Sequence, residues 1–175
     1  MREPEPQLVE RARRGDPVAF EELVRGTQGD MYRLALRLVR DRALAEDVTQ
    51  EAFIKAFRSL RSFRGRSSFA TWMYRITRNC AVDTVRRAAR QRRLAEQAGE
   101  NRPHADPSVR TALEAAVDGL SAELREPFVL IEIFGLSYTE TAVVLGVPAG
   151  TLKSRMHRAR RRLMEALAEE DADEV

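Results

Sequence analysis

Between residues 93 and 108 the chain stops reading as helix, and that break constrains the fold more than any other feature. The stretch is polar and carries Gly99, Pro103 and Pro107, the residues that interrupt regular structure. On both sides of it apolar residues recur at three- and four-residue intervals, the period of an amphipathic helix. No run alternates at period two, and no Asn-Gly or Asp-Gly pair sits between two alternating runs, so hairpins are not expected. The 175 residues are enough for one ordinary domain or two small ones. The pattern predicts an all-α chain: two small helical domains, residues 8–92 and 109–168, joined by a flexible linker over residues 93–108.

The helices follow from caps and stripes. Asp16 can cap a helix that Pro17 opens, with Leu23, Thr27, Met31, Leu34 and Leu38 on its inner face. A break at residues 40–42 precedes a second helix with Ala45, Val48, Ala52, Ala56 and Leu60 inward. Residues 62–68 (SFRGRSS) form a loop centred on Gly65, and Ser67 or Ser68 caps a third helix running to about Arg92. Phe69, Met73, Ile76 and Cys80 are its inner stripe, which makes Cys80 a buried structural thiol. After the linker, where His104 is expected to be solvated, Val109, Leu113, Ala116 and Leu120 mark another helix. Ser121 can cap the next segment. Pro127 falls inside that segment and is expected to mark its true start, since proline is tolerated in a first turn.

Charge is segregated rather than mixed. The net charge is only +3, yet residues 54–93 hold twelve basic side chains against the single acid Asp83, and residues 148–167 hold six against Glu165. Residues 41–53 carry one base and four acids, and residues 94–147 three bases and nine acids. Two basic blocks separated by acid suggest two contacts with a polyanion; two solvated helix faces are the plainer alternative.

Leu136–Leu163 reads LSYTETAVVLGVPAGTLKSRMHRARRRL. Ser137 with Glu140 forms a capping box, Gly146 supplies a left-handed turn, and Pro148 opens a second helix. Ala142 is small enough to let the two helices approach. This spacing is a helix-turn-helix. Leu152, Met156, Ala159 and Leu163 face inward; Thr151, Ser154, Arg155 and Arg158 face outward, flanked by Lys153 and Arg162. Outward residues early in such a helix meet base edges, and later arginines meet phosphates.

The first basic block is different. Six of the eleven aromatic residues lie within residues 53–74: Phe53, Phe57, Phe63, Phe69, Trp72 and Tyr74. Rings interleaved with arginines suit single-stranded nucleic acid, which needs stacking for bases and charge for the backbone; Phe53, Phe57 and Trp72 are expected in the core. Thr71, Arg75, Arg78, Asn79, Val82 and Arg86 are expected on one exposed stripe, where Asn79 is either a base-edge reader or a solvated side chain. The preceding helix should expose Asp47, Gln50, Glu51, Ile54 and Arg58. An acidic face beside a basic block will not bind DNA, and the isoleucine within it suggests a protein contact, an incidental exposed side chain being the alternative.

Several classes are disfavoured. One cysteine and two histidines speak against a disulfide framework and against a structural metal site. The basic blocks contain no paired carboxylates or His/Cys cluster for catalysis. No apolar run reaches membrane-spanning length, and Met1–Gln7 has no signal-peptide core, so no membrane insertion and a cytoplasmic location are expected. No cofactor or metal is expected.

Ala45–Asp83 (AEDVTQEAFIKAFRSLRSFRGRSSFATWMYRITRNCAVD) and Glu123–Leu163 (ELREPFVLIEIFGLSYTETAVVLGVPAGTLKSRMHRARRRL) together resemble regions 2.2 to 2.4 and region 4 of the extracytoplasmic-function (ECF) group of bacterial sigma-70 class sigma factors. The resemblance covers nearly everything after Gln7. It implies a non-enzymatic promoter-specificity subunit of RNA polymerase. Asp47, Gln50 and Glu51 match the element that docks on the β′ clamp helices, with Ile54 beside them. Phe63, Arg64, Arg66, Ser67 and Phe69 match the loop that takes a base flipped from the non-template −10 strand. Thr71, Arg75, Arg78, Asn79 and Arg86 lie on the helix that reads and melts that element. Thr151, Lys153, Ser154, Arg155, Arg158 and Arg162 fall on the helix that reads the −35 duplex. The resemblance further implies contact with the β flap and, as is common in the group, an anti-sigma factor partner. Cys80 departs from the usual residue at its place. Region 3 and the large insert are absent, as the group leads one to expect, and no extra C-terminal domain is expected after Leu167, which speaks against subgroups that carry a fused regulatory tail. A stand-alone helix-turn-helix regulator is the alternative; it accounts for Leu136–Leu163 but not for the acidic face or the aromatic loop.

Overall fold

The computed structural model describes residues 1–97 and 111–173, and those residues are helical, without strands. The chain divides into two compact units, Met1–Ala105 and Asp106–Val175. His104, Val109 and the Gly/Pro positions of the interruption lie outside the described residues.

The first unit is a bundle of α1 (Pro6–Arg13), α2 (Pro17–Val39), α3 (Arg42–Ser59) and α4 (Phe69–Gln97), with a 3₁₀ turn at Leu60–Ser62. Asp16 caps α2 by accepting from the Val18 and Ala19 amides at 3.0 and 3.1 Å, and Arg11 grips the same carboxylate at 2.7 Å. The stripe Leu23, Thr27, Met31, Leu34, Leu38 is buried as the spacing requires. α2 ends at Arg40 in the left-handed region, and Asp41 at once caps α3 through the Leu44 amide at 2.9 Å. Ala45, Val48, Ala52 and Ala56 are fully buried. Their small side chains let α3 lie close to α2 and α4, the other two members of the central packing. Thr77 Oγ1 donates to Met31 Sδ at 3.1 Å across that core.

The second unit contains α5 (Ala112–Gly119), α6 (Ala122–Phe128), a π-turn at Val129–Ile133, α7 (Tyr138–Leu145) and α8 (Ala149–Asp173). Thr111 and Glu114 form a capping box on α5. Arg125 is nearly buried and donates to the carbonyls of Asp118 at 3.3 Å and Leu120 at 3.5 Å, so it answers acceptors that α5 leaves unmatched at its end. Ser137 and Glu140 form the expected box on α7, and Gly146 closes it at φ +67°. Leu152, Met156, Ala159 and Leu163 are buried.

Several elements differ from the sequence expectation, each for a local reason. α1 was not expected; Pro6 opens it, Val9 and Ala12 are its buried pair, and it packs on α2 and the 3₁₀ turn. α4 continues to Gln97 instead of stopping at Arg92. Pro127 lies inside α6 rather than at its start; the backbone bond it cannot make is followed directly by the widened π-turn, in which the Phe134 amide reaches back to the Val129 carbonyl at 3.1 Å. Leu113 is exposed while Val117 is buried. Leu120 lies past the end of α5 in an extended conformation, so its inward direction does not follow the helical period that had paired it with Leu113. The buried small residue on α7 is Thr141, not the half-buried Ala142. Ile76 is half-buried, because Thr77 takes the core position. Phe57 is exposed rather than core, with its ring edge-on to Phe20 at 5.0 Å, since Ala56 fills the interior position beside it.

Gly146 and Gly150 separate backbone strain from crowding, because a Cβ at either would meet nothing within 4 Å. Gly146→Ala should lower the denaturant-unfolding stability of the second unit by about 1–2 kcal/mol, the left-handed penalty, whereas Gly150→Ala, in helical backbone, should not lower it. Equal effects of the two substitutions would contradict the turn geometry.

Candidate nucleic-acid and protein interfaces

The acidic face on α3 is assembled as the spacing predicts. Asp47, Gln50, Ile54 and Arg58 are exposed. Glu51 is turned partly inward: Lys55 Nζ lies 2.9 Å from its Oε1 and Arg87 Nη2 of α4 lies 3.5 Å from its Oε2. The Lys55 hydrogen bond, aided by the lesser effects of the Lys55 and Arg87 charges, holds the Glu51 carboxyl below the usual range against the opposing effect of burial. Glu51 is therefore ionised but already engaged, while Asp47 and Gln50 are displayed. Cys80 lies behind this cluster, fully buried, with burial pushing its thiol up; it is a core side chain.

The loop before α4 is closed by its own rings. Phe63 and Phe69 meet edge to face at 6.2 Å, and both lie on Trp72, at 5.0 and 5.6 Å. Gly65 makes the loop's turn at φ +65°, which other residues adopt only with strain. Arg64 and Arg66 are exposed, Phe63 and Ser67 half-buried. Phe69 is only 3% exposed, so its ring supports the loop from below instead of standing open to a base.

Thr71 requires a correction. It is 1% exposed and does not belong to the exposed stripe. Ser68 Oγ accepts from the Thr71 amide at 3.0 Å and donates to Thr71 Oγ1 at 2.7 Å, so Thr71 completes the cap of α4. The exposed arc of that helix consists of Arg75, Asn79 and Arg86, with Arg78 and Val82 half-buried beside it. Arg78 Nη1 reaches Asn79 Oδ1 at 3.5 Å.

A cavity of about 640 Å³ opens beside the loop. Arg61, Ser62, Phe63, Arg64, Gly65, Ser67 and Phe69 form one wall; Glu3, Pro4, Pro6, Val9, Glu10 and Arg13 form the other. Arg13 and Arg14 both bond Glu10, at 2.6 and 2.8 Å, and hold its carboxyl down to about 2. This second wall escaped sequence reasoning, because nothing in composition or period ties residues 3–13 to residues 61–69.

On α8, Lys153, Ser154, His157, Arg158 and Arg162 are exposed. His157 shares the outward arc and is legible from periodicity, although it was not among the expected contacts. Arg155 departs from the expectation: its side chain is 20% exposed and its Nη2 lies 3.9 Å from Glu123 Oε2 of α6. Thr151 is half-buried, and its carbonyl accepts the Ser154 hydroxyl at 2.9 Å. Arg160 bonds Glu132 at 2.7 Å and fastens α8 to the π-turn. Among the described residues no His, Cys, Asp and Glu group is arranged to hold a metal ion, and no helix is long and apolar enough to cross a membrane.

Comparison with known proteins accounts for both units at once. Residues 23–91 match Sigma-70 region 2 and residues 110–163 match Sigma-70, region 4. The chain is 39% identical to the ECF RNA polymerase sigma factor SigE of Mycolicibacterium smegmatis, over 91% of this chain and 66% of that protein. It is 39% identical to the RNA polymerase sigma-H factor of Pseudomonas aeruginosa, over 94% of each. Among solved structures, the sigma factor RpoE in complex with the anti-sigma factor NepR from Bartonella quintana superposes with a TM-score of 0.70 at 29% identity, covering 85% of this chain and 96% of that one. CnrH, solved with the cytosolic domain of CnrY, gives 0.72 at 28%, covering 93% and 96%. A stand-alone helix-turn-helix regulator would not carry the first of the two region matches. With both regions present in order, and with the Pseudomonas aeruginosa sigma factor matched at 39% identity over 94% of its length, the chain belongs to the ECF group of sigma-70 class RNA polymerase sigma factors.

Proposed function

We propose that this sigma factor acts in the cytoplasm as a non-catalytic initiation factor, and that its two units divide promoter recognition between single-stranded and duplex DNA. The first unit (α1–α4) docks on the β′ clamp helices of core polymerase through Asp47, Gln50 and Ile54. Glu51 supports that face from its pairing with Lys55 and Arg87 and adds less direct contact. The loop Phe63–Phe69 holds a base extruded from the non-template −10 strand, and Arg75, Arg78, Asn79 and Arg86 follow the strand along α4. The second unit (α5–α8) sets α8 in the −35 major groove and meets the β flap. An anti-sigma protein is a further partner, as it is for the RpoE relative.

The observation that carries the −10 assignment is the ring-closed loop beside a cavity of about 640 Å³, with exposed arginines at its rim. Extruding a base costs a few kcal/mol; stacking and hydrogen bonding in a concave site offset that cost, and the arginines neutralise the backbone. On α8, Lys153, Ser154 and Arg158 occupy the early outward positions that reach base edges in a helix-turn-helix. Arg155, held toward Glu123, is better suited to a phosphate near that helix end than to a base.

Asp47→Arg combined with Ile54→Ala should reduce co-purification with core polymerase by roughly tenfold or more, the scale of a lost hot-spot contact, with unchanged thermal unfolding. Retained binding would remove the docking face. Glu51→Arg is a poorer probe, since it would place a third cation beside Lys55 and Arg87.

In the presence of core polymerase, a non-template −10 oligonucleotide should compete for the protein better than its complement. Equal competition by the two strands would remove strand-specific capture.

Arg158→Ala should cost about 1–3 kcal/mol at a cognate −35 sequence and relax specificity at one position if the guanidinium reads a base. Uniform weakening across sequences, with a salt slope smaller by about 1, would instead make Arg158 a phosphate contact.

A further inference from the structure

A long-range polar contact at the loop comes from the N-terminal segment. Glu3 Oε1 accepts from the Phe69 amide at 2.6 Å, and Glu3 Oε2 accepts from the Ala70 amide at 3.0 Å. The two partners lie 66 and 67 residues away along the chain. A helix starts with amides that its own carbonyls cannot satisfy. In α4 they are answered from two sides: Ser68 takes the Thr71 amide from within the loop, while Glu3 takes the Phe69 and Ala70 amides from outside it.

Phe69 is also the ring on which the loop closes, through Phe63 and Trp72. The Glu3 carboxylate thus bonds the backbone of the residue that ends the loop. Glu3 and Pro4, with Pro6 and Glu10 behind them, form the cavity wall that faces the loop. Resting on the reading of Phe63–Phe69 as the −10 loop, we propose that Glu3 is a positioning residue for base selection. By fixing the first turn of α4 it sets the width of the cavity in which the extruded base is read, so the discriminating pocket has two walls: the loop, and the segment preceding α1.

The physical consequence is specific. Without the carboxylate, two amides at the loop–helix junction lose their acceptor, the first turn of α4 loosens, and Phe69 is free to shift against Phe63. The core of the unit lies further along α4, at Met73, Tyr74, Thr77 and Cys80, and keeps its packing. A loosened pocket still accepts a base but distinguishes bases less well. The change should therefore appear in the ratio of affinities between bases more than in total affinity or in unfolding.

The test uses the full chain bound to core polymerase and non-template −10 oligonucleotides carrying each of the four bases at the captured position. Three variants are compared with the parent protein: Glu3→Ala, Glu3→Gln, and the loop variant Phe63→Ala. Glu3→Ala should flatten the preference between best and worst base by about fivefold, the scale of one lost helix cap. It should also speed hydrogen exchange at the Phe69 and Ala70 amides, lower the melting temperature by no more than the few degrees that one lost cap costs, and leave −35 duplex affinity unchanged. Glu3→Gln, which keeps one carbonyl acceptor, should recover part of the preference. If Phe63→Ala flattens the preference and Glu3→Ala does not, the role of Glu3 is overturned while the loop reading stands. If Phe63→Ala leaves the preference intact, the loop reading falls and the role of Glu3 falls with it.

Discussion

Burial of one arc of α4 is the constraint on which the first unit depends. Residues 54–93 carry twelve basic side chains and one acid, and like charges three or four apart on a helix cost a few tenths of a kcal/mol per pair. Against this, each large apolar side chain taken fully out of water contributes about 1.5–3 kcal/mol. Met73, Tyr74, Cys80 and Ala81 are all buried against α2 and α3, and Trp72 is nearly so. Packing wins by magnitude, and its surplus is what lets Arg75, Arg78 and Arg86 be held together on the other arc. The ion pairs from Lys55 and Arg87 to Glu51 and Asp83 are half-exposed and worth little individually. They trim the charge at the α3–α4 seam without holding it together.

The same balance explains which parts of the fold could be read beforehand. Where a helix is long and one face is buried along its length, as on α2, α3 and α8, the period of apolar residues named the core side chains correctly. Caps were equally legible at Asp16, Ser137 and Gly146, because each satisfies a backbone requirement within three or four residues. The failures occur where a residue's direction depends on something outside the local repeat. Leu120 leaves the helical conformation, Pro127 is accommodated by a π-turn that no residue pattern marks, and Thr71 is drawn into the cap by Ser68. Residues 6–13 carry too short a stripe to stand out, and the Glu3 contact spans the whole unit. The site was accordingly legible as a set of residue types and only partly as a geometry: Arg64, Arg66, Arg75, Arg86, Arg158 and Arg162 are exposed as the spacing requires, but Arg155 is turned toward Glu123, Arg78 is half-buried, and Phe69 and Thr71 are buried as support.

On the proposed reading, shape further separates what the two units bind. A helix is convex and, with side chains, about 10–12 Å across, close to the roughly 12 Å width of a B-DNA major groove. The outward arc of α8, with Lys153, Ser154, His157 and Arg158, is such a surface, made rigid by the buried Leu152, Met156 and Ala159 beneath it. An extruded base is flat and needs walls on both faces, which no single helix surface supplies. A junction supplies them: at the start of α4 the chain turns through Gly65, two rings brace each other, and a segment from the other end of the unit closes the far side.

The electrostatics of that junction discriminate as well. Arg61 and Arg64 line its loop side with Arg66 exposed nearby in the loop, whereas the far wall carries the carboxylates of Glu3 and Glu10 beside Arg13, and Arg13 and Arg14 keep Glu10 ionised. On the far wall the carboxylates of Glu3 and Glu10 oppose the charge of Arg13, so a phosphate there meets repulsion that a phosphate beside the loop arginines does not. A neutral base suffers no such repulsion and can bond a carboxylate through an exocyclic amine. On the proposed reading, this arrangement orients the strand before any base is read: backbone outside, base inside. That ordering requires the acids of the N-terminal wall as much as the arginines of the loop, and a purely basic pocket would lack it.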